Sequence, residues 1–310
     1  MRHFIIDSDT GSDDAVALVM ALHHPEVRVE AITIVAGNVP LNQAVQNALY
    51  TVELCQQAIP VYPGMAAPLA RPLETALYVH GEDGMGDIGL PLSGRQPAEG
   101  NAIDVMIEII HRLAGDITLV ALGPLTNIAV ALQQDPSIAR DTKECIIMGG
   151  TGQGHGNITP VGEYNFWADP EAAKVVFESG MPIKMVGWDI SRTYATFDAE
   201  QTAQLRGINT PLARFSVDIQ ATLIDFAMNQ SKLPGFDLPD PITMAIALQP
   251  DIATETKNLF VAIEADSELC RGQSVVDHFG VLRKQPNAEV VLKASREKFL
   301  NLLYDALRMG

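Results

Sequence analysis

Phe4-Ile5-Ile6-Asp7-Ser8-Asp9-Thr10-Gly11-Ser12-Asp13-Asp14-Ala15 is the stretch from which the fold can be read. Phe4-Ile5-Ile6 is an unbroken apolar run, the pattern of a short strand covered on both faces. From Asp14 to His23 the period lengthens to that of a helix, with Ala15, Leu18, Val19 and Leu22 on one side. Four carboxylates, Asp7, Asp9, Asp13 and Asp14, lie where that strand gives way to that helix. In an open α/β sheet, the carboxyl ends of the strands are where ligands bind.

The same alternation continues outward. Strands are predicted over 27–35 (closed by Gly37-Asn38), 117–121, 144–148 (ended by Gly149-Gly150) and 183–187. Helices are predicted over 41–57, over 101–113 and from Leu125. Asp169-Pro170 reads as an N-cap with proline in the first turn of another helix, and Gly180 as its C-terminal stop. A long helix over 211–229, a Pro/Gly-rich loop, and a helix after Asp240 follow. Strands over 259–263 and 290–292 come next, and Phe299, Leu302, Leu303, Ala306 and Leu307 mark a last helix. This rhythm predicts an α/β fold with an open, mainly parallel (mixed) sheet and helices on both faces. No repeat or linker divides residues 1–310, so a single domain is expected. Two irregular stretches, 63–100 and 151–168, exceed the usual length of structural connections and are expected to be functional.

Composition narrows the partners. With 38 acidic against 21 basic residues the net charge is −17, which argues against nucleic acid or an anionic membrane face. No apolar segment is long enough to span a membrane and no signal peptide is expected. Cys55, Cys145 and Cys270, an odd number without metal-type spacing, suggest free thiols in a reducing compartment, hence a cytoplasmic protein.

Carboxylates this close together repel one another, so some must be protonated or a cation must sit among them. Neither His nor Cys accompanies the cluster. That donor set suits a hard ion, Ca²⁺ or Mg²⁺ rather than Zn²⁺. Helix N-capping by Asp13 and a favourable helix dipole explain one or two of the acids, but not four. Asn38, the Leu122-Gly123-Pro124 and Met148-Gly149-Gly150 strand ends, and Asn157, Glu163 and Asn165 converge on the same rim. They offer hydrogen bonds without positive charge, which suits a neutral polyol such as a sugar. No Gly-rich loop with Lys or Arg is present to cradle phosphate.

The opening Asp-x-Asp-x-Gly-x-Asp-Asp-Ala resembles the signature of the nucleoside hydrolases, the inosine–uridine-preferring N-ribohydrolase family. Val35-Ala36-Gly37-Asn38, His80-Gly81-Glu82-Asp83-Gly84, Gly123-Pro124-Leu125-Thr126-Asn127, Met148-Gly149-Gly150, Asn157 to Asn165 and Asp240-Pro241 recur in family order over essentially the whole chain. The resemblance implies Ca²⁺-dependent hydrolysis of the N-glycosidic bond of a nucleoside substrate, in a homodimer or homotetramer. It implies that Asp9, Asp14, Asp240 and the Leu122 carbonyl hold Ca²⁺, a carbonyl ligand tolerating Leu where the family has Thr. Asp9 becomes the general base. Asp13, Asn165 and Asp240 grip the ribose diol, Asn157 and Glu163 hold the 5′-hydroxyl, and Asn38 and Met148 adjoin the sugar. Asp7 is expected to be a buried carboxylate that orients its neighbours.

The chain departs from the family where a proton must reach the leaving base. Many members carry His immediately before the metal-binding Asp of the late helix, and here Leu238-Pro239-Asp240-Pro241 has proline at that place. The segment 227–236 also lacks the tyrosines some members use near the base. His80 is expected to contact the pocket, His278 to be satisfied elsewhere, and Trp167 and Trp188 to pack in the core. Two other functions compete. A haloacid-dehalogenase-like phosphatase shares the Asp7-x-Asp9-Thr10 pattern but needs a Lys at a strand end, and Lys143 precedes a strand. A ribose-binding protein or weakened enzyme would account for the missing His.

Overall fold

Successive strand residues face opposite sides of a sheet, and the first strand uses both. In a computed structural model that describes residues 1–230 and 235–309, Phe4 and Ile6 enter one core layer and Ile5 the other. The strands are β1 (Arg2–Ser8), β2 (Val27–Ile34), β3 (Val61–Pro63), β4 (Ile117–Ala121), β5 (Glu144–Met148) and β6 (Ile183–Val186). They continue with β7 (Thr196–Phe197), β8 (Phe236–Asp237), β9 (Ala253–Leu259), β10 (Val261–Ile263), β11 (Ser274–Val276) and β12 (Ala288–Ala294). Among the described residues the central sheet has eight strands in the order β3-β2-β1-β4-β5-β6-β12-β9. All neighbours run parallel except β9, which is antiparallel to β12. The strand order reverses between β1 and β4, so their carboxyl ends open the crevice where such sheets bind ligands. Asp7 stands beside Ala121 in that pairing, which brings the acidic turn against Leu122.

Helices Ala102–Arg112, Thr126–Gln134 and Pro170–Glu178 cover one face. Helices Ser12–Leu22, Leu41–Leu54, Pro239–Leu248 and Arg296–Arg308 cover the other. Every residue of Ser12–Leu22 and of Asp240–Leu248 is buried, Leu22 only just. These two helices pack together, and their N-termini bring Asp13, Asp14 and Asp240 to one point. The expected mainly parallel mixed sheet with helices on both faces is the observed one.

Three local expectations differ. The helix predicted over 211–229 is broken into Pro211–Asp218, Ala221–Asp225 and a π-helical turn Phe226–Gln230. At the break, Gln220 is fully buried and spends its amide on Ser12 and Ser216. The Pro/Gly-rich loop expected next includes residues 231–234, outside the described residues. The strand predicted over 259–263 divides at Phe260: β9 stays in the central sheet, while β10 pairs with β11. Asn287 occupies the junction, accepting from Val261 N at 2.8 Å and donating to Val261 O at 2.9 Å. The first helix begins at Ser12, with Gly11 as its N-cap, and Asp14 rather than Asp13 bonds back to Gly11 N at 2.9 Å.

Asp169 does cap its helix, accepting from Ala172 N at 3.0 Å with Pro170 behind it, and Gly180 follows the last turn at φ +78°. It also accepts from Leu69 N at 2.9 Å and Thr126 Oγ1 at 2.6 Å, so one buried carboxylate ties the long 63–100 stretch to the scaffold. Asp169→Ala is expected to lower stability by about 1–3 kcal/mol in urea unfolding, since a cap and two further bonds are lost. Asp169→Asn, which keeps an acceptor, is expected to recover part of that loss.

Candidate active site

The acidic turn folds into a layered network. Asp7 is fully buried and accepts from Thr33 Oγ1 at 2.6 Å and Asn127 Nδ2 at 2.8 Å, which pins β1 to β2 and to the Gly123–Asn127 segment. Asp9 accepts from Asn38 N at 2.7 Å through Oδ2, while its Oδ1 is buried without a partner. Its carboxylate is pressed between two backbone segments. A Cβ on Gly37 would lie 2.1 Å from Asp9 Oδ2, and one on Gly123 would lie 2.8 Å from Oδ1. Asp14 accepts from Ser8 Oγ at 2.7 Å, Gly11 N at 2.9 Å and Asn38 Nδ2 at 3.2 Å, so Asn38 braces both carboxylates. Asp13 Oδ1 and Asp7 Oδ2 are likewise buried without a partner.

Asp13, Asp14 and Asp240 each turn an oxygen to one point, the three atoms lying within 4.8 Å of one another. Burial raises all of them. Asp13 and Asp14 rise to about 6, Asp14 also through the charge of Asp13. Asp240 rises well above the carboxylate range through burial and the charges of Asp13, Asp14 and Asp9, and Asp9 through burial and Asp14. The partnerless oxygen of Asp13 and an all-oxygen donor set are what a hard divalent cation would satisfy. Asp9 stands beside that trio without belonging to it, and Asp13, expected on the sugar, belongs to it.

A cavity of about 290 Å³ opens above these acids. Its polar side has Asp13, Asn38, His80, Leu122, Met148, Asn157, Glu163, Asn165 and Asp240, so every expected site residue except Asp9 and Asp14 lines it. Those two lie beneath, braced by Asn38. Asn165 Nδ2 is spent on Leu122 O at 2.8 Å and on Met148 O and Sδ at 3.2 Å, which leaves its Oδ1 for the cavity. Glu163 caps the short helix Tyr164–Ala168 and accepts from Asn165 N and Gly150 N, while burial lifts it to about 7. Asn157 Oδ1 receives Tyr164 N at 2.9 Å. Burial holds His80 down at about 4, so its ring is neutral. The lining carries no Lys or Arg among the described residues. Lys143 precedes β5, at the opposite end of the sheet, far from where a phosphatase would need it.

A family model described as inosine-uridine preferring nucleoside hydrolase matches residues 4–301. The chain belongs to that family. It is accordingly a nucleoside N-ribohydrolase, which cleaves the N-glycosidic bond of ribonucleosides. A pyrimidine-specific ribonucleoside hydrolase, RihA, of a Shewanella species is 39% identical over 99% of this chain and 96% of its own length. Among solved structures, a plant nucleoside hydrolase superposes with a TM-score of 0.94 at 31% identity, covering 100% of this chain and 99% of that one. A purine-preferring ribonucleoside hydrolase from Gardnerella vaginalis gives 0.91 at 29%, with 100% of both chains covered.

Sequence patterns did not mark the other side of this hydrolase pocket. Tyr78, Val79, Leu223, Phe226 and Ala227 form an apolar wall, with Tyr78 set edge-on to Phe226 at 5.6 Å. Phe226 falls within the helix expected over 211–229, and after the break at Gln220 it lines the cavity together with Leu223 and Ala227. Trp188, assigned to the core from sequence, lines the cavity, whereas Trp167 packs away from it under the Arg271 guanidinium at 4.0 Å. Asp237, three residues before Asp240, is a further buried lining carboxylate, held by Ser191 Oγ at 2.7 Å and raised by burial. His278 is satisfied by Gly152 O at 2.8 Å, as expected, and Pro239 lines the cavity.

Two outcomes follow from this packing. Gly37→Ala forces a methyl group onto Asp9, and a displaced carboxylate is expected to lower kcat/KM for nucleoside hydrolysis roughly 100-fold. The raised carboxyls set the pH dependence. Asp7, Asp13, Asp14 and Glu163 keep protons up to about 7, 6, 6 and 7 in the folded state. An unfolded chain releases them near pH 4, so the native state binds more protons between those limits. Stability of chelator-treated protein should therefore fall as pH rises from about 4 to 7. A divalent cation held by Asp13 and Asp14 would compete with their protons, so an added divalent cation should raise Tm more at pH 8 than at pH 5.

Proposed function

We propose that this enzyme hydrolyses pyrimidine ribonucleosides to ribose and free base with Ca²⁺ held by Asp9, Asp14, Asp240 and the Leu122 carbonyl. The observation that carries this is the division of one cavity into an acidic, amide-lined half without cations and an apolar, aromatic half. The first half suits a neutral ribose and the second a flat, uncharged base. Pyrimidine preference is supported by relatives 37–39% identical that bear the name pyrimidine-specific ribonucleoside hydrolase.

When bound, the cation supplies a lowered water pKa and a fixed place for the ribose diol. Asp9 acts as the general base that takes the proton of the attacking water, its geometry fixed by Asn38 and the two glycines. Asp13, Asn165 and Asp240 hold the 2′- and 3′-hydroxyls, and Asn157 and Glu163 hold the 5′-hydroxyl. Asn38 and Met148 border the sugar, and His80 borders the base. As the bond to the base breaks, positive charge grows on the ribose ring, and Asp13 with its neighbouring carboxylates stabilises it. Proline at 239 has no proton to give, so the leaving base receives its proton from another source. The same reading takes residues 1–310 as one catalytic domain, acting in the cytoplasm as a homodimer or homotetramer. No helix among the described residues is long and apolar enough to cross a membrane.

The deciding test measures ribose released from uridine, cytidine, inosine, adenosine and p-nitrophenyl riboside, before and after chelation. Chelator-sensitive cleavage favouring uridine and cytidine is the expected result. Cleavage of the activated riboside alone would mean that proton delivery to natural bases has been lost along with the His. Silence on all five would leave only a binding role. Asp9→Ala is expected to lower kcat about 10²–10⁴-fold with little change in nucleoside affinity, because a general base acts in the transition state. Uridine 5′-monophosphate is expected to be cleaved poorly, since Glu163 and the missing cations disfavour a phosphate at the 5′ position.

A further inference from the structure

His80 reaches the cavity from the short helix Leu77–His80, and its other side is wired to a buried amide. Gln220 Nε2 lies 2.9 Å from Ser12 O and 3.3 Å from Ser216 O, two carbonyl oxygens that can only accept. The amide nitrogen must therefore face them, and Oε1 must face Ser12 Oγ at 2.9 Å. Ser12 has a single hydroxyl proton, and Gln220 Oε1 takes it. The Ser12 oxygen then has only lone pairs for His80 Nδ1, 3.0 Å away, so the ring must donate through Nδ1. Asp13 Oδ1, 3.8 Å from the same nitrogen, is another acceptor on that side. A neutral imidazole carries one N–H, so Nε2 is left as a bare lone pair, and no side chain among the described residues takes it up.

We infer that Gln220 is a positioning residue: through Ser12 it fixes His80 as the Nδ1–H tautomer, so that Nε2 accepts a hydrogen bond from an N–H on the edge of the nucleobase. This rests on the nucleosidase reading for the identity of the donor. The same wiring means that neutral His80 has no proton on Nε2 to give to the leaving base. It selects the base rather than activating it. In uridine the matching donor is N3–H, and in cytidine the exocyclic amino group.

Two measurements test this. Long-range ¹H–¹⁵N correlation spectra of ¹⁵N-labelled protein at neutral pH report the tautomer, with His80 assigned by its disappearance in His80→Gln. The expected signature is a protonated Nδ1 and a bare Nε2. An Nε2–H tautomer or a doubly protonated ring overturns the inference, whatever the protein's substrates. Gln220→Met keeps the volume but frees the Ser12 hydroxyl to donate to Nδ1, and the Nε2–H form should then appear. The second measurement compares kcat/KM for uridine and 3-methyluridine, which lacks the N3 proton. The wild-type enzyme should prefer uridine roughly tenfold, the scale of one hydrogen bond, and Gln220→Met should narrow that ratio towards one. Equal cleavage of both by the wild type, or a preference that survives unchanged in Gln220→Met and is therefore steric, overturns the acceptor role. Failure to cleave either nucleoside sinks the nucleosidase reading instead, and the spectra still decide the tautomer.

Discussion

Mutual repulsion among buried carboxylates is the constraint on which the rest of this structure depends. Asp7, Asp9, Asp13, Asp14 and Asp240 all lie within the protein, where like charges are poorly screened and ionisation is expensive. The fold answers with three devices. The positive ends of two buried helices point at Asp13, Asp14 and Asp240. Backbone and side-chain donors, from Asn38, Gly11, Ser8, Thr33 and Asn127, take up the oxygens that face the scaffold. Three oxygens, one each on Asp7, Asp9 and Asp13, are left without partners. Buried polar atoms are normally satisfied, so the partnerless Asp13 oxygen at the cavity marks a site that expects a ligand.

The remainder of the pocket is built to leave that arrangement undisturbed. Gly37 and Gly123 let backbone approach Asp9 more closely than any side chain would allow. Asn165 and Glu163 spend most of their hydrogen-bonding capacity on Leu122, Met148 and Gly150, so the polar side of the cavity is pre-formed before a substrate arrives. The long 63–100 and 151–168 stretches are held down by polar side chains, the buried Asp169 for one and the buried Glu163 with Asn157 for the other. Their length serves the site, and their order comes from these few bonds.

Much of this was legible in the sequence, for identifiable reasons. Apolar runs such as Phe4–Ile6 and the periodic face of Ala15, Leu18, Val19 and Leu22 report burial directly, so the strand and helix alternation and the mixed parallel sheet could be read from them. The acidic turn was legible because four carboxylates at one strand end have no structural use that explains them all. The apolar wall was not legible. Phe226 and Tyr78 carry the same hydrophobic signal as core residues, and the segment after the break at Gln220 presents Phe226 to the cavity. The split at Phe260 was hidden in the same way, since it depends on Asn287, far along the chain, bonding to Val261.

The sequence by itself determined the fold class, the family and the chemistry of the acidic half, because local apolar period and clustered charge are properties of neighbouring residues. Tertiary structure alone decided which carboxylates share a point and which proton His80 carries. Asp240 lies more than two hundred residues from Asp14, and Gln220 just over two hundred from Ser12. Their proximity depends on how the helices Ser12–Leu22 and Pro239–Leu248 pack and on where the chain breaks at Gln220. A hydrogen-bond direction propagates only through groups already in contact, so no pattern along the chain encodes it.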